Sequence, residues 1–158
     1  MSDGAEVSGP VSGRSPITDH SSPEFVFPVR VYWEDTDAGG IVYYANYLKF
    51  MERARTEWLR KLGVEQESLR SEQGLMFVVV QAAVDFKKPA RYGDTLQVGC
   101  VLKQRSRASL TFRQDVVRKG TNELLVEGEV RVACLDAVKF KPRGLPDGLL
   151  QKMGGGMR

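Results

Sequence analysis

The chain has 158 residues, of which 42% are apolar and 27% charged. A single domain of this length buries roughly 68–70% of its unfolded surface, so two independent domains are excluded. Lys and Arg total 23 against 20 Asp and Glu, a surplus too small for nucleic-acid binding without a concentrated patch. The longest apolar run, Leu75 to Val80, is far short of the roughly 18–20 residues that span a bilayer, so no membrane span is expected.

The amino terminus has neither a basic start nor an apolar leader segment, and a cytoplasmic location is expected. Residues 1–24 contain twelve Ser, Gly or Pro and no aromatic; they cannot bury enough apolar surface to offset the entropy of ordering, so a disordered tail is predicted. The single histidine, His20, falls in that tail. A folded region without histidine supplies neither a Ser-His-Asp or Cys-His arrangement nor a histidine-bearing metal site. No GxSxG, GxGxxG or Walker string occurs, so a nucleophile elbow and phosphate loops are unsupported. Cys100 and Cys134 have no CxxC spacing and read as small core residues of a reducing compartment. No metal and no cofactor is called for, and carboxylates and backbone dipoles are the tools left for chemistry.

In chain order, Val29, Val31 and Trp33 alternate with Arg30, Tyr32 and Glu34, the period of a half-buried strand. Asp35-Thr36-Asp37-Ala38-Gly39-Gly40 is then a loop of turn-forming residues. Asn46 offers an N-cap for a helix over Tyr47–Leu62, about 24 Å long, whose stripe is Leu48, Met51, Arg55 through its stem, Trp58 and Leu62, with Gly63 as the stop. Residues 65–72 suit two short helical turns before Gly74.

The remainder reads as sheet. Leu75–Lys87 is apolar and β-branched and is broken by Pro89 and Gly93-Asp94. Leu96, Val98, Cys100 and Leu102 share one face of the next strand, and Leu110, Phe112 and Val116 of the one after. Lys119–Asn122 closes a hairpin, and Leu124, Val126, Val130, Val132 and Cys134 line the last strand. The prediction is an α+β domain over residues 25–146, one long central helix wrapped by about five mostly antiparallel strands, followed by a flexible tail at 147–158 that ends through Gly154–Gly156. Long sheet edges with one covering helix invite pairing with a second copy, so a symmetric homodimer is expected.

The loop before the helix carries the chemistry. Between Glu34 and Tyr47 it sets carboxylates beside a helix amino end, where unpaired N–H groups and about half a positive charge suit a developing oxyanion. The spacing is equally that of an ordinary Asp-Gly turn.

The run from Val31 to Leu48, continuing through Met51-Glu52-Arg53-Ala54-Arg55, resembles hotdog-fold acyl-CoA thioesterases of the 4-hydroxybenzoyl-CoA thioesterase family. Asp85-Phe86, Pro89 to Leu96 and Gly128 to Asp136 are similar to the branch encoded with the Tol-Pal envelope system. The resemblance covers about residues 25–146 and implies hydrolysis of an acyl-CoA, subunits joined through their sheets, and dimers that often pair into homotetramers. It implies that Asp37 is the catalytic acid, as nucleophile or as general base, that Asp35 holds the loop, and that the N–H near Tyr44 polarises the carbonyl. Tyrosine at position 44 is the habit of the 4-hydroxybenzoyl branch; the Tol-Pal branch usually has histidine there. Gly40, Val42, Tyr43 and Asn46 are the expected acyl-site lining, and Arg105, Arg107, Ser109, Lys141 and Arg143 the expected contacts of coenzyme A phosphates, which need fixed cations. Glu52 reads as an ion-pair partner. Val78, Val79, Val80 and Phe86 suit either the acyl pocket or the core. The competing reading is a non-catalytic module that binds acyl chains or acyl carrier protein for an envelope-lipid complex.

Overall fold

The computed structural model describes residues 25–153; the amino-terminal tail with His20 and the glycines at 154–156 lie outside the described residues. The strands are β1 (Phe25–Arg30), β2 (Leu75–Phe86), β3 (Thr95–Arg105), β4 (Ser109–Arg113), β5 (Val116–Arg118) and β6 (Leu124–Asp136), and the helices α1 (Asn46–Lys61), α2 (Gln66–Gln73) and α3 (Asp147–Lys152). The sheet runs β1-β3-β4-β6-β2, with β5 also between β3 and β6, and every pairing is antiparallel.

Six strands replace the expected five because one lane is interrupted. Val101 pairs Arg113 in β4, while Val98 pairs Val116 in β5. Between them Gln114 and Asp115 make an irregular step that keeps one backbone bond to each neighbouring strand, the Gln114 N–H to the Gly128 carbonyl and the Gly99 N–H to the Asp115 carbonyl, and both are buried. The Gln114 side chain turns toward α1: its Nε2 donates to the Met51 carbonyl at 2.9 Å and its Oε1 accepts from Arg55 Nη1 at 3.0 Å. Opposite this break, Gly128 lets the helix close on β6, because a Cβ there would lie 2.6 Å from Met51 Cε and 2.9 Å from the Gln114 carbonyl oxygen.

The helix buries a broader face than the predicted stripe: of the predicted residues Met51 is buried and Trp58 and Leu62 pack against the core, but Leu48 turns out of it. Tyr47, Phe50, Met51 and Ala54 are buried to within 1% of their surface, whereas Leu48 is 45% exposed. The sheet curls around α1, so the buried face is broad, and Tyr47 occupies it because its hydroxyl has a partner: it accepts the Ala90 N–H at 3.0 Å. Asn46 is not the cap. Ala45 stands there without a side-chain cap bond, and Asn46 is the first helical residue. Residues 66–73 form α2, closed by Gly74 at φ 68°. Cys100 and Cys134 are free and buried. The flexible tail expected from 147 is corrected for Asp147–Lys152: that segment is α3, with Leu149 buried in the core, since Leu145 and Leu149 reach back to cover an apolar surface the sheet leaves open. β1 and β2 are the two sheet edges, and on β2 Val79 and Val80 are about half exposed.

Candidate active site

After Val31, which is buried, the chain forms a single 3-10 turn at Trp33–Asp35. Asp35 holds both that turn and the loop after it. Its Oδ2 accepts the Tyr32 N–H at 2.8 Å, and its carbonyl accepts both the Tyr43 N–H and Asn46 Nδ2 at 2.9 Å. The loop is therefore a small hairpin, with a bridge between Thr36 and Val42 and the Asp37 N–H donating to the Ile41 carbonyl at 2.9 Å. Gly40 at φ 80° permits its tight end, donating to the Asp37 carbonyl. Val42 and Ile41 staple the hairpin to the 90–91 segment: the Val42 N–H donates to the Ala90 carbonyl, and Ile41 bridges Arg91.

Asp37 sits on the outer limb of this hairpin and is exposed in the single chain. One carboxylate oxygen, Oδ1, accepts the Gly39 N–H at 2.8 Å; among the described residues Oδ2 has no hydrogen-bond donor. Nine residues on, the helix begins, entered through a tightened turn. The Asn46, Tyr47 and Leu48 N–H groups donate to the carbonyls three residues back, while among the described residues the N–H groups of Tyr44 and Ala45 have no acceptor. The positive end of α1 is thus presented by two free amides beside the aspartate hairpin. The Tyr44 ring stacks edge-on against Phe86, centroids 6.1 Å apart, and leans on Tyr43 at 5.0 Å, with more than half of its surface exposed.

The other expected site residues divide. Gly40 and Tyr43 lie exposed on the hairpin and beside it. Val42 is 2% exposed, so its side chain belongs to the core and its role is to anchor the loop. Asn46 ties helix to hairpin. Arg105, Arg107, Ser109, Lys141 and Arg143 gather elsewhere, around the β3–β4 turn and the segment after β6. Ser109 bonds Ser106 across the turn at 2.7 Å, the Arg107 carbonyl accepts the Leu145 N–H, Arg105 Nη1 donates to the Leu150 carbonyl, and Arg143 donates to the Gly74 carbonyl. Lys141 is exposed next to the Leu135–Pro142 bridge. This cluster adjoins the Leu75 end of β2, while Tyr44 packs at the Phe86 end. The two ends of the strand are about 36 Å apart, so one chain does not bring its basic cluster to its own Asp37.

Sequence reasoning placed Arg55 in the helix's apolar stripe through its stem but missed the buried partner of its guanidinium, Gln114. With Glu52 and Val79, Arg55 lines a cavity of about 200 Å³ walled by Phe77, Leu110, Phe112 and Val132. Burial pulls the Arg55 guanidinium down from its ordinary value. The signal was an arginine in the helix's apolar phase. Among the described residues Glu52 makes no direct ion pair, although its charge acts on Arg55; it lines this cavity with Arg55, and with Leu48, Val79, Ala82 and Val130 it lines a second one between the helix and the sheet. Phe86 packs on Tyr44 and Tyr47. Among the described residues no three metal-ligating side chains cluster, and no helix is long and apolar enough to cross a membrane.

A family model described as the thioesterase-like superfamily matches residues 31–153. The chain belongs to the thioesterase-like superfamily. The acyl-CoA thioester hydrolase YbgC of Escherichia coli O157:H7 is 46% identical over 126 residues, 80% of this chain and 92% of the relative. The acyl-CoA thioesterase YbgC of Haemophilus influenzae is 47% identical over 122 residues, covering 77% and 88%. A probable thioesterase from Bartonella henselae superposes with a TM-score of 0.74 at 34% identity over 78% of this chain and 100% of that one. Slr0204, a 1,4-dihydroxy-2-naphthoyl-CoA thioesterase from Synechocystis, superposes at 0.77 with 25% identity over 83% and 95%. The fold is the hotdog fold, α1 held within a curled antiparallel sheet, and the protein is a thioesterase.

Proposed function

We propose that this thioesterase hydrolyses acyl-CoA to the free acid and coenzyme A, with Asp37 as the attacking or proton-accepting group. The observation that carries the reading is the pair of unengaged amides at Tyr44 and Ala45 beside an aspartate that keeps one oxygen free. The thioester carbonyl accepts the Tyr44 N–H, which stabilises the charge that grows on oxygen as the carbon becomes tetrahedral. Asp37 Oδ2 then either adds to that carbon, giving an anhydride that water opens, or takes a proton from the attacking water. Both routes expel the thiolate of coenzyme A, and neither needs an imidazole. Tyr44 contributes its backbone, with its ring as wall.

The working unit is a dimer through β2. This edge strand is exposed at its centre, and two copies related by a two-fold axis across it pair antiparallel. That symmetry sets the Leu75 end of one β2 beside the Phe86 end of the other, so the basic cluster around Arg105, Arg107 and Arg143 faces the partner's acid loop, where the phosphates of coenzyme A need cations. Pairing of two such dimers into a tetramer is compatible with this use of β2. Free buried cysteines suit a reducing, cytoplasmic setting.

Thiol release from a panel running from acetyl-CoA to palmitoyl-CoA, with aromatic acyl-CoAs included, tests the reading on wild type and Asp37→Asn together. The variant should lose at least ~10² in kcat and keep its circular dichroism spectrum. Equal turnover by a folded Asp37→Asn protein refutes it. Tight binding of acyl chains or of acyl carrier protein without any turnover would replace hydrolysis by a binding role.

A further inference from the structure

We propose that the turn at residues 137–140 acts in trans, as an apolar flap that closes over the acid loop of the partner subunit. The inference rests on the dimeric acyl-CoA hydrolase reading and adds the element that encloses its site. Val138 is 85% and Phe140 65% exposed, large apolar exposures at the tip of one short turn. The turn is nonetheless built rigidly. Asp136 Oδ1 accepts the Val138 and Lys139 N–H groups, both at 2.9 Å. The Phe140 N–H donates to the Asp136 carbonyl, and the Ala137 N–H to the Gly74 carbonyl, each at 2.8 Å. Phe140 also adopts φ 56°, a left-handed conformation that is unusual for a bulky aromatic residue. A chain that holds phenylalanine in that conformation, with its ring largely in solvent, has an unmet apolar surface; backbone outliers of this kind cluster at active sites, ligand clamps and switch regions.

Position selects the occupant. Leu75 pairs with Asp136, so the turn projects from the Leu75 end of β2, and antiparallel pairing of two β2 strands carries it to the corner where the partner's Phe86 meets the partner's Tyr44. That corner is itself an exposed apolar surface, with Tyr43 47% and Tyr44 58% exposed. Charge agrees: Lys139 on the flap approaches a loop that bears Glu34 and Asp37. Asp37, open to solvent in one chain, is then enclosed, and water exclusion strengthens its interaction with the carbonyl and the free amides.

Phe140→Asn combined with Val138→Ser removes the apolar tip, and asparagine accepts the left-handed backbone, so the fold is kept. Light scattering should still give the wild-type assembly, because β2 is untouched, while kcat/KM for acyl-CoA falls about tenfold. The decisive arm is a heterodimer, co-expressed with two tags and purified on both, of an Asp37→Asn chain and a flap-variant chain. A flap acting in trans gives this heterodimer one intact site and about half the wild-type dimer's rate. A rate no higher than half that of the flap variant shows that the turn serves its own chain and overturns the proposal. Wild-type kcat/KM in the flap variant, or a monomeric protein, overturns it while leaving the loss in Asp37→Asn intact. Full activity in Asp37→Asn overturns the hydrolase reading and the flap with it.

Discussion

Gly128→Ala tests whether the seat of α1 on β6 is as tight as the structure gives it. The added methyl would meet Met51 Cε at 2.6 Å, Met51 Sδ at 3.1 Å and the Gln114 carbonyl oxygen at 2.9 Å. The first two contacts belong to a flexible side chain and can swing away, but Met51 is fully buried and displaces its neighbours when it does. The third is backbone, in the residue whose N–H donates to the Gly128 carbonyl at 2.8 Å, so relief requires the strands to part by a few tenths of an ångström. Overpacking of this kind costs about 1–3 kcal/mol. Met51→Ala alone leaves a void and costs about 2–5 kcal/mol. In the double variant the new methyl enters that void, so the combined loss should be smaller than the sum by about 1 kcal/mol. Urea unfolding at fixed protein concentration measures all three. A neutral Gly128→Ala, or strict additivity in the double variant, would refute the packing argument. The strain also reaches the cavity, because Gln114 holds Arg55; thioesterase activity should fall with stability rather than be spared.

Tyr44→Phe keeps the ring on Phe86 and the backbone amide, so kcat should change by less than about threefold; a loss like that of Asp37→Asn would make the phenol a participant. Asp136 is held below the usual carboxylate range, first by the Lys139 N–H and then by the Val138 N–H. Its folded pKa is depressed, so the stability it adds is present above the unfolded value near 3.9 and is lost as pH falls through the lower folded value. Asp136→Asn should therefore flatten the acid limb of the stability profile below about pH 4, read by urea midpoints from neutral to acid pH; an unchanged slope would remove Asp136 as the cause.

Much of the fold was legible because its signals are local. Alternating apolar residues mark the long strands, Gly74 and Gly63 mark helix ends, and the Asp-Ala-Gly-Gly loop before a helix marks where chemistry is possible. What escaped depended on neighbours far along the chain. Leu48 fits a helical stripe as well as Tyr47 does, until Ala90 supplies a partner for the tyrosine hydroxyl. Gln114 reads as an ordinary strand residue until the helix passes over it and Met51 offers a carbonyl. Asn46 looks like a cap until the Asp35 carbonyl claims its side chain. Leu149 looks like part of a loose end until the core gives it a place.

By itself the amino-acid sequence determined an α+β domain with one long helix against antiparallel strands, and a loop that sets Asp37 beside a helix start, because periodicity, composition and a loop motif are properties of neighbouring residues; the hotdog class and a catalytic role for Asp37 entered with the family resemblance. Only the tertiary structure decided which amides are left free at that helix start, that Val42 is core, and that the basic residues expected to meet coenzyme A stand at the far end of β2 from the acid of the same chain. Those are outcomes of strand register and sheet curvature, which depend on contacts between residues distant in sequence.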